Sequence, residues 1–150
     1  VNTAAGWGLT AKHCVVDEQG KPVENLQVNG LPTQILKTSE SLAIVKLPTM
    51  LGPSLNIRST KLRVGDEVIG IGYGFGYLTV VIRHVSDPKW EEGSARDVVL
   101  DGPLVPGMSG GPIVDLDGYV VGVSQENSPQ YLLSRACGQD EINDFLATMK

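Results

Sequence analysis

Cysteine and histidine are scarce in this 150-residue chain, with two of each. Cys14 and Cys137 fix no redox compartment, because one bridge or two small buried hydrophobes would both use them. Apart from the adjacent His13 and Cys14, no metal-ligand spacing is present, so no metal is expected. No cofactor is implied either. The run Gly70-Ile71-Gly72-Tyr73-Gly74-Phe75-Gly76 lacks the glycine spacing of a phosphate loop and leads into a β-rich run, not a helix. No basic run exists and the net charge is −5, which argues against nucleic acid as a partner. The longest apolar runs fall far short of a membrane span, so no membrane partner is expected. Internal repeats, low-complexity segments and a visible signal peptide are also lacking.

What is present is ordinary for a soluble globular protein: 41% hydrophobic and 19% charged residues. The length suits one domain or a compact pair of small barrels with a real core. Short β-branched runs recur between turn signals, an all-β pattern. Strands are expected over Trp7–Ala11, Glu24–Val28, Thr33–Lys37, Leu42–Leu47, Glu67–Tyr73, Leu78–Ser86, Val98–Asp101, Gly111–Asp115, Tyr119–Gln125 and Gln130–Ser134. Asn29-Gly30 and Asp117-Gly118 mark tight hairpins, since both dipeptides supply positive φ cheaply. Pro48–Leu62 has little periodicity and reads as a connection. At the end the period changes: Ile142, Phe145, Leu146 and Met149 form one helical stripe, with Asp140 as its expected N-cap.

Two segments carry chemistry. In Gly107-Met108-Ser109-Gly110-Gly111-Pro112-Ile113, glycines and a proline surround one serine. That composition forces a tight turn, exposes the hydroxyl and leaves amides uncovered by Cβ atoms. A nucleophilic serine needs this, because its oxyanion must meet preorganised N–H donors. A plain glycine-rich hairpin would read alike. Upstream, Leu9-Thr10-Ala11-Lys12-His13-Cys14-Val15 ends an apolar segment in a histidine placed to act as general base. His84 sits in Val81-Ile82-Arg83-His84-Val85 with no motif around it and reads as a structural or surface residue.

These two boxes resemble those of the chymotrypsin-like serine proteases, Thr-Ala-x-His-Cys and Gly-x-Ser-Gly-Gly-Pro. Arg63–Gly72 with Phe75-Gly76, Asp101, Pro106-Gly107 and Asp117–Val123 are similar to the high-temperature-requirement branch. The resemblance implies an all-β fold of two six-stranded antiparallel β-barrels with a short C-terminal helix. It divides the chain into an N-terminal barrel over 1–58, holding His13, and a C-terminal barrel over 59–150, holding Ser109 and the helix. No separate peptide-binding domain is expected within these residues. By the same resemblance Val1 lies in the second strand, so the first barrel is expected to lack its N-terminal strand. Another segment or chain is expected to supply it beside Val1–Thr3. A secreted or periplasmic location is also implied, though the residues themselves name no compartment.

The implied reaction is hydrolysis of a polypeptide substrate through a Ser109 acyl-enzyme, with His13 as base. Gly107 and Ser109 would supply the oxyanion-hole amides. Ser124 and Gln125 would bind substrate as an edge strand. Pro103 and Leu104, both uncharged, would form the base of the primary specificity pocket and favour small or medium aliphatic side chains. One position departs from the family. Where the pattern Asp-Leu-Ala-x-x-Lys is expected, the chain reads Ser41-Leu42-Ala43-Ile44-Val45-Lys46. Ser41 can accept a hydrogen bond from the imidazole but supplies no charge. Losing the acid removes roughly four orders of magnitude in turnover, about 5 kcal/mol of barrier. A weak natural dyad, an inactive peptide-binding or viral or phage structural module, and an Asp→Ser variant all fit. Glu40 is adjacent to Ser41, but strand alternation is expected to point it away from that face, a poor substitute unless the strand slips or bulges.

Overall fold

Val, Ile and Leu at alternate positions build the strands, and residues tolerant of positive φ end them. The computed structural model describes residues 6–47, 53–93, 95–128 and 132–149. The strands are β1 (Trp7–Ala11), β2 (Gln27–Val28), β3 (Leu31–Pro32), β4 (Ile35–Thr38), β5 (Leu42–Lys46), β6 (Glu67–Gly74), β7 (Tyr77–Glu92), β8 (Ala95–Leu100), β9 (Pro112–Val114), β10 (Val120–Ser128) and β11 (Leu133–Gly138). A 3-10 turn covers Lys12–Cys14, and helix α1 spans Gln139–Ala147.

The C-terminal half is a closed antiparallel barrel of order β10-β11-β8-β7-β6-β9. Its interior is filled by Val68, Val85, Leu100, Met108, Ile113 and Val121. In the N-terminal half the described residues form a three-stranded sheet, β1-β5-β4, and the β2–β3 hairpin. Asn29 (φ 50°) and Gly30 (φ 77°) make that hairpin turn, as the Asn-Gly pair predicts. A second apolar cluster joins the halves: Leu9, Leu42 and Ile44 pack with Val120, Val123 and the helix residues Ile142 and Phe145. Burying side chains of this size contributes about 1.5–3 kcal/mol each. The expectation of a strand beside Val1–Thr3, the link residues 48–52 and the expected strand start at Gln130 lie outside the described residues.

Several boundaries differ from expectation. The helix is capped by Gly138 in an extended conformation, without a side-chain cap bond, and Asp140 lies in its first turn. Strand β7 runs on to Glu92 because it keeps pairing with β8 through two irregularities in register. Only Gln27–Val28 of the expected Glu24–Val28 strand is paired, and Asn25 has φ 54°, which breaks an extended run. Both cysteines are free: Cys137 is buried and Cys14 half-buried. They belong to different clusters, Cys137 with the residues joining the halves and Cys14 against Val15 and Val45.

Candidate active site

The loop before β9 is fixed from both sides. Met108, 1% exposed, anchors it in the barrel core. Gly107 takes φ +97°, and a Cβ there would lie 2.6 Å from the Tyr73 carbonyl oxygen, so only glycine fits. The Phe75 amide, at the tip of the β6–β7 hairpin, donates to the Pro106 carbonyl at 3.0 Å. Along the loop the amides alternate in role. Met108 N–H donates to Val105, Gly110 N–H to Ser124 and Gly111 N–H to Met108, at 3.1, 2.8 and 3.0 Å. Among the described residues the N–H groups of Gly107 and Ser109 have no acceptor. Ser109 is exposed, and its Oγ donates to the Gln125 carbonyl at 3.0 Å.

Gly110 docks this loop on the N-terminal half. Its φ is +80°, and a Cβ would overlap Thr10 Oγ1 and press on the Ala11 amide and Cys14 Sγ. The Cys14 thiol donates to the Ser109 carbonyl at 3.4 Å. Burial pushes that thiol up, opposed by a hydrogen bond with Thr10, so it remains protonated and acts as a joint between the halves.

His13 is exposed in the 3-10 turn next to this joint. The preceding amide, Lys12 N–H, donates to the Ser41 carbonyl at 2.8 Å. A cavity of about 470 Å³ is lined by His13, Ser41 and Gln125 together with Lys12, Val16, Asp17, Glu18 and Glu40. The structure therefore brings His13, Ser41 and Gln125 together. Ser109 is tied to this group through the Gln125 carbonyl, and among the described residues no hydrogen bond joins it to His13. The expectation for Glu40 needs correction. Strand β5 begins at Leu42, and Ser39–Ser41 form the turn before it. Ser39 N–H donates to the Leu42 carbonyl at 2.8 Å, and Leu42 N–H donates to Ser39 Oγ at 3.0 Å. Alternation does not govern a turn, and Glu40 shares the cavity with His13.

The expected substrate strand is less open than anticipated. Ser124 is buried, and its amide and carbonyl are engaged by Gly111 and Gly110. Gln125 is the extra residue where the β10–β11 register shifts between Ser124 and Glu126. Beyond it, Glu126–Ser128 pair only with β11 among the described residues. Leu104 sends its side chain into the barrel core instead of a pocket. Its amide donates to Asn127 Oδ1 at 2.8 Å, and its carbonyl accepts from Asn127 Nδ2 at 2.6 Å. Pro103 is exposed, and its carbonyl accepts from Arg83 Nε at 2.9 Å. Asn127 and Arg83 thus hold the loop of Pro103 and Leu104, and nothing in the sequence marks either one for that task.

Asp101, at the start of that loop, accepts from the His84 amide at 2.8 Å. Its second oxygen lies 3.3 Å from His84 Nδ1. The backbone bond foremost, with the imidazole beside it, holds the Asp101 carboxyl below its ordinary range. Among the described residues no group of three or more His, Cys, Asp or Glu side chains could hold a metal ion. No described helix is long and apolar enough to cross a membrane.

Comparisons with known proteins agree with this fold. Residues 1–123 match the model of the trypsin-like peptidase domain. A probable periplasmic serine endoprotease DegP-like from Hahella chejuensis is 30% identical over 128 residues, covering 81% of this chain and 27% of the relative. Serine protease HTRA1 from Xenopus laevis is 29% identical over 151 aligned residues, covering 93% and 33%. The chain thus spans about a quarter to a third of the length of these curated relatives. Among solved structures, the active form of the Rv3671c protease from M. tuberculosis superposes with a TM-score of 0.77 at 20% identity, covering 97% of this chain and 70% of that one. The HtrA-type protease AlgW with tripeptide also gives 0.77 at 20% identity, covering 99% and 54%. The chain belongs to the trypsin-like peptidase domain family and is homologous to the HtrA/DegP serine proteases.

Proposed function

We propose that this domain is a serine endopeptidase that hydrolyses peptide bonds through an acyl-enzyme on Ser109. The observation that carries the reading is the pair of amides at Gly107 and Ser109, which have no acceptor among the described residues while those of Met108, Gly110 and Gly111 are engaged. Such donors stabilise a charge that exists only in the transition state. His13 takes the Ser109 proton and returns it to the leaving amine. In the present geometry Ser109 Oγ rests on the Gln125 carbonyl. Attack therefore requires Ser109 Oγ to exchange this acceptor for the imidazole. The N-terminal half, residues 1–58, supplies His13, and residues 59–150 supply the serine loop. The substrate is a polypeptide, paired to β10 beyond Gln125.

The test is labelling of the protein with a fluorophosphonate probe, followed by a casein or peptide assay. Labelling is expected in the parent and absent in Ser109→Ala, and His13→Ala should slow it by two or more orders of magnitude. A folded protein whose Ser109 never labels would assign the domain to peptide binding without hydrolysis.

A further inference from the structure

We infer that Glu40 is the charge partner of His13, taking the place of the acid that position 41 lacks. The inference deepens the proposed function and rests on it for the role of His13. Glu40 sits in the turn before β5, and the turn is locked to the histidine segment by the Lys12 N–H bond to the Ser41 carbonyl at 2.8 Å. One residue upstream of the vacant acid position, a glutamate has a longer side chain than an aspartate, and it lines the cavity that His13 and Ser41 share. Among the described residues its carboxylate has no ion pair and no hydrogen bond of its own. The other charges facing His13 are Lys12, Asp17 and Glu18. Asp17 is committed to its own turn, accepting from the amides of Gln19 and Lys21 at 3.0 and 2.8 Å. Glu18 lies beyond it in that exposed turn, and Lys12 is of the wrong sign. A carboxylate across a small cavity favours the imidazolium that forms as Ser109 gives up its proton. Ser41 then orients the ring and Glu40 supplies the charge, two tasks that one aspartate usually combines.

The experiment follows the ring protons of His13 by NMR from pH 4.5 to 9 in the parent, Glu40→Gln, Glu40→Asp and Glu18→Gln proteins. Glu40→Gln is expected to lower the His13 midpoint by about half a unit. Glu18→Gln should shift it less, and Glu40→Asp should recover part of the loss. In parallel, Glu40→Gln should lower kcat at least tenfold with little change in KM. A midpoint unmoved by Glu40→Gln, or moved equally by Glu18→Gln, would overturn the inference whatever the activity. A midpoint that moves as expected in a protein that hydrolyses nothing supports the pairing of Glu40 with His13. The failure would then lie with the proteolytic reading alone.

Discussion

Asp97 shows how one residue sets a pH dependence. It lies on β8 opposite Cys137, is 5% exposed, and its Oδ1 has no hydrogen-bond partner. Arg135 Nη1 approaches Oδ2 at 3.7 Å. Burial outweighs that cation and, with Glu141 and Glu92 nearby, pushes the carboxyl up to about 6. A folded pKa raised above the unfolded value means the native state holds its proton longer. Stability from this group is full below about pH 4 and falls as pH rises towards 6. Asp97→Asn should remove that slope and stabilise the protein by up to roughly 3 kcal/mol at pH 8, with little change at pH 4. Urea unfolding at the two pH values is the measurement, and equal midpoints for the two proteins at pH 8 would refute the argument. Nothing in Ala95-Arg96-Asp97-Val98 announces such a carboxylate, because its burial depends on Glu141 and Cys137 arriving from far along the chain. By contrast the family was legible from the segments around His13 and Ser109, since each motif is encoded in consecutive residues. The orientation of Glu40 was misread for one local reason: alternation was applied to residues 40 and 41, which lie in the turn before β5.

At the scale of elements, the β6–β7 hairpin is the informative piece. Its turn residues Phe75 and Gly76 take φ 52° and 83°. A left-handed conformation costs a residue with a Cβ roughly 1–2 kcal/mol, and Phe75 is 75% exposed, with little packing to offset this. Phe75→Asn keeps the amide that bonds Pro106 and suits the left-handed region. It should therefore raise stability by about 1 kcal/mol, seen as a higher Tm. A lowered Tm would mean that the aromatic ring has a packing role. Strand existence was read correctly here because alternation is strict: Val81 and Val85 point inward while Leu78, Val80, Ile82 and His84 face out. The far end of β7 was missed because Asp87–Glu92 is mostly polar and contains Pro88, and only its register with β8 makes it a strand. The terminal helix was found from its stripe, since Ile142 and Phe145 are buried as the period requires. Its cap was misplaced because Gly138 closes β11 and opens α1 at once, leaving no room for a side-chain cap.

For the molecule as a whole, the barrel closes through its shortest strand. β9 is Pro112–Val114, and it pairs with both β6 and β10. The loop carrying Ser109 leads directly into it, and the last bonds fixing that loop, Gly110 to Ser124 and Ser124 to Gly111, cross the same seam. Those bonds are short-range, but the β6–β9 pairs of Ile69 with Val114 and Gly70 with Ile113 join distant parts of the chain, and such partners form late, because loop-closure entropy must be met before the contacts reward it. The serine loop is therefore among the last parts of the chain to take shape. A half-folded chain holds the Ser109 hydroxyl on an unformed loop, without the bonds that fix Gly110 and Gly111. Reactivity of Ser109 towards a fluorophosphonate, measured during refolding from urea, should return with the slowest phase of tryptophan fluorescence and never ahead of it. Labelling during an earlier phase would show that the loop forms without the seam. The closed seam thus works as a timing device: under the proposed reading, Ser109 becomes competent only in a finished molecule.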